Sequence, residues 1–389
     1  SIYYARNRNI DAWKLDDPNL KKIPLTQETD SQGRNLYDLE HMRNLGFIYA
    51  SIGRRTVRPA AAADKPKIGF LLKTMQEERY ATDKALFIAR AQELGAEVLF
   101  DSGNNDALTQ LHQVEAQLDA GIQALVLQPV DTGTAGGLVS KAHARGVPVI
   151  GYDSMPQDTP LDLMVMQDSW AVGRLQGEAM LAWLKEKHGR IEGRVALIKG
   201  QPGDANAEAL SQGFRELFLD QPHRLELVEE RSHVNWSPDE ARTTTESLLL
   251  KYDNRIDAFI CNNDGLAAGV ILALKAEGLA DAGKVFVAGA DADRRNIRWV
   301  AEGIQAVDVW KEIKPLADQA AEAALALIGH RDQAAATLFP TARLIANGTS
   351  QVPTIVTPVV LVTRDTIDST VIAGGHLSHD QVYGPAPGG

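Results

Sequence analysis

The chain has 389 residues, of which 44% are hydrophobic and 23% charged, with a formal net charge of −11. That length suggests two or three domains and permits a large buried core, while the acidic balance argues against a nucleic-acid partner, which needs a clustered basic face. A single cysteine, Cys261, rules out an intramolecular disulfide, and no apolar run approaches the ~18 residues that span a bilayer.

Residues 1 to 65 are rich in polar and charged side chains, with Tyr3, Tyr4 and Trp13 near the start and an apolar patch from Leu45 to Ile52. The stretch Met42 to Ile52 is expected to form a short helix or strand, and Pro59 with Ala60 to Ala63 reads as a linker. The segment shows no helix-turn-helix pattern and no strong basic excess, so it does not read as a DNA-binding headpiece. A regular rhythm begins at Pro66. Short apolar runs at Lys67 to Leu72, Glu97 to Asp101, Gln123 to Leu127 and Val147 to Gly151 predict strands buried on both faces. Helical patterns at Ala81 to Leu94, Asp106 to Leu118 and Thr134 to Arg145 separate them, and Gly95, Gly121 and Gly146 follow at C′ positions. After Asp168 the rhythm restarts. A long helix over Ser169 to Lys187 leads to strands at Arg194 to Ile198, Leu225 to Glu229, Asp257 to Ile260, Val285 to Ala288 and Gln305 to Val309. Helices are predicted at Asn206 to Leu217, Pro238 to Leu250, Leu266 to Glu277 and Arg294 to Glu302, and Pro315 opens an Ala-rich helix ending near Gly329. The stretch Val352 to Thr366 reads as hinge or edge strands, and Gly384 to Gly389 as a Pro/Gly tail.

Alternating strands and helices predict an α/β fold of two doubly wound parallel-sheet lobes joined by a hinge. The expected division is an appended segment at 1–65, an N-terminal lobe of 66–163 plus 310–339, and a C-terminal lobe of 164–309 plus 340–389. In such sheets ligands bind beyond the carboxyl ends of the strands. Short polar side chains recur there: Gly151-Tyr152-Asp153, Cys261-Asn262-Asn263-Asp264 and Gly289-Ala290-Asp291-Ala292-Asp293. Asp153 can accept from two sugar hydroxyls or serve as an Asx-turn residue. Glu78-Arg79-Tyr80 offers a guanidinium fork to hydroxyls or a carboxylate, against the plainer reading of a charged helix start. In Gln201-Pro202-Gly203-Asp204-Ala205-Asn206 helix capping is the default, with Asn206 a candidate for the ligand. Trp236, just before a helix capped by Ser237, can stack on a sugar ring or act as a staple. The Gly133 to Gly137 stretch lacks the spacing of a phosphate loop, the histidines show no metal-ligand spacing, and no nucleophile elbow is present. No cofactor is expected. Cys261 reads as a small buried hydrophobe.

From about Lys65 to Val382 these phrases resemble the bacterial periplasmic sugar-binding proteins of type I fold, most closely those that bind D-xylose for ABC importers. Lys67-Ile68-Gly69, Glu78-Arg79-Tyr80, Tyr152-Asp153, Pro202 to Ala207, Trp236 to Ala241, Asn263-Asp264, Gly289 to Asp293, Val309-Trp310-Lys311, Ile345 to Gly348 and Val352-Pro353 match in order. The resemblance implies a sugar clamped between lobes. It nominates Arg79, Asp153, Asn206, Asn263, Asp291 and Lys311 as hydrogen-bonding residues, with Tyr80 and Trp236 as a stacking pair. Tyr80 stands where that family usually has Trp. Lys73 replaces an acidic residue after the first strand, and Ser154 an Arg after the pocket aspartate, so both are added to the candidate site and the ligand is expected to be xylose-like rather than necessarily xylose. The resemblance also implies a periplasmic location and a membrane ABC permease or a chemoreceptor as partner. Ser1 opens no signal-peptide pattern: the expectation is an exported chain whose leader is absent from this sequence, either removed or never present. Two rival readings stay open: a sensory or docking protein, and a sugar-processing enzyme using Asp291 and Asp293. Residues 1–65 have no counterpart in the family, and either pack on this protein or bind a separate partner.

Overall fold

The structure, a computed structural model, describes residues 11–12, 23–24, 65–219, 224–348 and 350–385. The chain divides into a unit at Ser1–Asp64 and a larger one at Lys65–Gly389. In the first unit, strands β1 (Asp11–Ala12) and β2 (Ile23–Pro24) pair antiparallel. The patch Leu45 to Ile52, the aromatic residues Tyr3, Tyr4 and Trp13, the Ala60 to Ala63 linker and the end of the Pro/Gly tail lie outside the described residues.

The larger unit holds two sheets. The first contains β3 (Lys67–Leu72), β4 (Glu97–Ser102), β5 (Ala124–Leu127), β6 (Val149–Tyr152), β7 (Leu163–Gln167), β13 (Arg343–Ala346) and β14 (Gln351–Thr357), in the order β13-β14-β7-β6-β5-β3-β4. All neighbours run parallel except β13 and β14. The strands are apolar nearly throughout because helices cover both faces. On one face Ile68, Phe70, Val126, Ile150 and Val165 pack under α1 (Arg79–Glu93) and α9 (Ile313–Gly329), with Phe70 stacked on Phe87 at 4.0 Å. On the other, Leu71, Leu125, Leu127, Val149 and Met164 pack under α2 (Ala107–Asp119) and α3 (Gly136–Ala144). Successive side chains of one strand thus serve opposite layers. The expected C′ glycines take left-handed φ values, 88° at Gly95, 79° at Gly121 and 68° at Gly146.

The second sheet has the order β11-β10-β8-β9, formed by β8 (Gly193–Lys199), β9 (Leu225–Ser232), β10 (Ala258–Cys261) and β11 (Phe286–Ala288). Beyond β11, β12 (Asp308–Lys311) continues in parallel through the Ala288–Val307 bridge, and β15 (Val359–Val362) pairs antiparallel with β12. Helices α4 (Ser169–His188) and α5 (Ala205–Leu219) cover one face, and α6 (Pro238–Lys251) and α7 (Asp264–Ala276) the other. Glycines let these helices touch backbone to backbone. A Cβ on Gly173 would lie 1.8 Å from the Leu210 carbonyl, and one on Gly213 2.0 Å from the Trp170 carbonyl. Helix α8 (Arg294–Glu302) follows β11.

The chain passes between the sheets at Gln167–Ser169, Lys311–Ile313 and Thr357–Val359. Gln167 Nε2 donates to the Glu312 carbonyl at 3.1 Å and ties two of these passages together. Here the expected boundaries need correction. The sequence pattern puts residues 164–167 and 343–357 in the C-terminal lobe, but Thr354 to Thr357 register against Met164 to Gln167 inside the first sheet. The physical reason is that β7 is a core strand with buried Leu163, Met164 and Val165, and its open edge is closed only by β14. The passage to the second lobe therefore comes after β7, and the last one only at Pro358.

Candidate functional site

The carboxyl ends of both sheets face one cleft, and the structure brings most of the nominated side chains into it. From the first lobe come Lys73 after β3, Arg79 and Tyr80 in the first turn of α1, and Asp153 and Ser154 after β6. From the second come Asn206 at the start of α5, Asp291 after β11 and Lys311 at the end of β12. All of these are buried, Asp291 being 7% exposed and Ser154 0%.

Arg79 is the hub. Its Nε lies 3.3 Å from Asp83 Oδ2, one terminal nitrogen 3.4 Å from Asp153 Oδ1, and the other 3.5 Å from Asp291 Oδ1 across the cleft. Lys311 Nζ lies 2.6 Å from the same Asp291 oxygen. Asn206 Nδ2 donates back across the cleft to Asp153 Oδ2 at 3.2 Å and to Ser154 Oγ at 3.0 Å, and Ser169 Oγ donates to Asn206 Oδ1 at 3.0 Å. Lys73 Nζ reaches Asp204 Oδ2 of the opposite lobe at 3.5 Å. Burial works against the charge of Arg79, but Asp153, Asp83 and Asp291 outweigh it and hold the guanidinium well above its ordinary value. Burial likewise opposes ionisation of Asp153, and Arg79, Lys311 and Lys73 overcome it, leaving the carboxyl below the usual range. Lys73 is raised, with burial outweighed by Asp204, Glu77 and Asp153. Charges this deep persist because each is paired and hydrogen-bonded.

The alternatives left open for single residues resolve unevenly. Asp153 sits at φ 62°, a turn conformation, and its carboxylate accepts from Gln128 and Asn206 and pairs with Arg79 inside the cleft. Asp204, not Asn206, caps α5: its Oδ1 accepts from the Asn206 and Ala207 N–H groups at 2.8 and 3.2 Å. Asn263 is buried beside the cleft, but its Oδ1 accepts from the Leu266 N–H at 3.0 Å and caps α7; among the described residues it makes no bond to the Arg79 network. Trp236, half-buried, packs its ring on Gly200, where a Cβ would lie 2.5 Å from the indole. Lys73 Nζ stands 5.0 Å from the Trp236 ring centroid and 5.9 Å from that of Tyr80, so the two aromatic residues flank an ammonium. Indole Nε1 of Trp236 is buried with no hydrogen-bond partner among the described residues. Cys261 is buried, and burial pushes its thiol up.

Sequence reasoning missed Gln128, which follows β5. It donates to Asp153 Oδ2 at 2.8 Å and to the Tyr80 hydroxyl at 3.1 Å, and accepts from the Lys73 N–H at 3.3 Å. Its position just past an apolar strand and before Pro129 is the same signal that singled out Asp153. Asp83, one turn into α1 from Arg79, was also missed; it is fully buried and takes the Tyr152 hydroxyl as a donor. A cavity of ≈230 Å³ opens at the cleft mouth between Lys73, Asn105, Thr132, Asp204, Asn235 and Trp236. A larger one, ≈380 Å³, lies at the lobe passages among Asp168, Arg174, Arg343 and Thr357 to Val359 and meets none of the nominated residues. The carboxyl-edge cleft, where charged groups from both lobes converge, is the site the chemistry favours.

A model of the periplasmic binding protein domain matches residues 68–332. The chain belongs to this family. Its sequence is 32% identical over 319 residues to the D-xylose-binding periplasmic protein of Escherichia coli, covering 81% of this chain and 92% of that protein. The protein of the same name from Haemophilus influenzae is 31% identical over 345 residues, covering 88% of this chain and all of that one. A carbohydrate transporter solute binding protein from Chloroflexus aurantiacus, solved in complex with D-glucose, superposes with a TM-score of 0.70 at 26% identity, covering 82% of this chain and 98% of that one. The two-lobed type I fold and the family resemblance expected from sequence are thereby established. No helix among the described residues is long and apolar enough to cross a membrane.

Proposed function

We propose that this periplasmic binding protein clamps one monosaccharide, a xylose-like aldose or related polyol, between its lobes and presents the closed form to an ABC permease from the periplasm. The observation that carries this reading is the set of bonds spanning the cleft: Arg79 to Asp291, Asn206 to Asp153 and Ser154, and Lys73 to Asp204. Carboxylates, amides, two ammonium groups and one forked guanidinium gathered in one cleft are groups that bond vicinal hydroxyls. Tyr80 and Trp236 supply the faces for the apolar side of a sugar ring. A ligand that bonds both lobes favours the closed form by its differential affinity, with hinge movement at the three passages. The protein binds and releases the sugar without changing it. Sugars that the named relatives bind, D-xylose and D-glucose, are the first probes, followed by other aldoses and polyols.

The test is calorimetric titration with these sugars and recovery of the ligand after binding. One tight sugar recovered intact is expected. Conversion of the sugar would establish the enzyme reading instead, and absence of binding across the set would overturn the proposal.

A further inference from the structure

We propose that Asp264 and Asp308 share one proton, and that this protonated carboxyl pair locks the Gly289–Asp293 loop in the conformation that presents Asp291 to the cleft. The loop needs a lock. Two successive residues without the freedom of glycine, Asp291 at φ 107° and Ala292 at φ 57°, take left-handed backbone, which persists only where the surroundings over-determine it. The surroundings here are two fully buried carboxyl groups beneath the loop. Asp264 Oδ2 accepts from the Asp293 N–H at 2.7 Å, and Asp308 Oδ1 from the Ala292 N–H at 3.1 Å. Gln305 Nε2 donates to Asp308 Oδ2 at 2.9 Å, and Asn296 Nδ2 donates to Gln305 Oε1 and to the Asp264 main-chain carbonyl.

One oxygen is left over. Asp264 Oδ1 is buried and receives no donor from the described residues. It points where Asp308 points: a Cβ on Gly289 would lie 2.0 Å from Asp264 Oδ1 and 3.1 Å from Asp308 Oδ2. Two carboxylates so placed do not both ionise. A proton on Asp264 Oδ1 turns the orphan acceptor into a donor to Asp308 and satisfies the oxygens of both groups. The electrostatics agree. Burial first, then the Asp308 charge, pushes Asp264 well above the carboxylate range, and burial pushes Asp308 up to about 6. The charged groups facing the pair from neighbouring elements are Asp291 with its partner Lys311, Asp293, pushed up to about 8, and around Asp293 the side chains of Glu78 and Arg295. Because Asp264 is raised, the pair's support for the fold is greatest at low pH and is lost as pH rises through its folded-state value. Ionisation puts a second charge under the loop, and Asp291 withdraws from Lys311 and Arg79. The link from loop to ligand rests on the sugar-binding reading; the shared proton does not.

The two carboxyl groups are not interchangeable, and that asymmetry gives the test. Asp264→Asn supplies an amide N–H toward Asp308 and an oxygen for the Asp293 N–H, imitating the protonated group with nothing to titrate. Asp308→Asn cannot accept from both Gln305 Nε2 and the Ala292 N–H. Full-length protein is followed by infrared spectroscopy at neutral and alkaline pH, by thermal unfolding between pH 6 and 10 without ligand, and by titration with D-xylose and D-glucose. An Asp293→Asn background removes that residue's own titration. The expected results are a protonated-carboxyl band at neutral pH that Asp264→Asn abolishes, and an alkaline fall in unfolding temperature and affinity that Asp264→Asn flattens. Neutral affinity should stay within about threefold for Asp264→Asn and drop about tenfold or more for Asp308→Asn. A neutral-pH spectrum without the band, or an Asp264→Asn protein that keeps the full alkaline fall, overturns the shared proton. If no variant binds either sugar, the sugar-binding reading fails, while the infrared and unfolding results still decide the pair.

Discussion

Arg79 gathers three carboxylates, from Asp83, Asp153 and Asp291, around one planar cation. Removing it leaves buried charges without their partner, and breaking a buried pair in this way costs about 3–5 kcal/mol. Arg79→Met is therefore expected to lower the unfolding temperature and to abolish measurable sugar binding together; an unchanged melting curve would remove Arg79 from the centre of the network. Asp291→Ala has a narrower effect. It leaves Arg79 its other two partners but takes from buried Lys311 the carboxylate 2.6 Å away, so affinity should weaken by at least about 1–3 kcal/mol and the unfolding temperature should fall as well, as titration calorimetry and thermal unfolding can check. Asp153 gives a pH prediction of opposite sign to that of Asp264. Its carboxyl is held below the usual range, so its contribution is present above the unfolded value of about 3.9 and lost as pH falls through the lower folded-state value. Unfolding temperature and affinity should both drop on strong acidification, and Asp153→Asn should blunt that drop.

At the scale of elements, close glycine contacts set helix positions and caps set loop positions. Gly213→Val forces a side chain into the Trp170 carbonyl, and overpacking of this kind costs about 1–3 kcal/mol; denaturant unfolding should show it. Asn263→Ala removes the cap of α7, worth about 1 kcal/mol, so stability should fall with or ahead of affinity. Much of this level was legible beforehand. The apolar runs at Lys67–Leu72 and Ala258–Cys261 announce strands, and the polar residues that follow them fall at the cleft as expected. What was not legible depended on partners far along the chain. The strand Leu163–Gln167 is short and follows a proline-containing turn, and nothing local distinguishes it from a lead-in to α4. Its place in the first sheet is set by β14, nearly the whole second lobe later. Gln128 was passed over because its role depends on distant partners, Tyr80, Asp153 and Lys73, converging on it. The Asp264–Asp308 pair was invisible for the same reason, since two strand-end aspartates on different segments become a pair only in three dimensions.

At the scale of the whole molecule, all nominated side chains lie between Lys73 and Lys311. Deleting residues 1–64 is accordingly expected to leave sugar affinity within about tenfold, or about 1.4 kcal/mol; a larger loss in titration would show that the segment takes part in the cleft. Ligand at a hundredfold over its dissociation constant should stabilise the protein by roughly 2.7 kcal/mol, visible as a thermal shift.

The late placement of β14 also has a consequence for how the chain comes into being. Until residues 351–357 have been synthesised, the edge of β7 presents unpaired backbone with apolar Leu163, Met164 and Val165 behind it, and such an edge is a template for pairing with another chain. The N-terminal lobe, begun first, is finished nearly last, after the second lobe has been threaded through its middle. A nascent chain of this design keeps that edge open, and in need of protection, until residues 351–357 have emerged. Truncation at residue 340 should yield aggregates, whereas truncation after residue 365 should leave both sheets with all their strands.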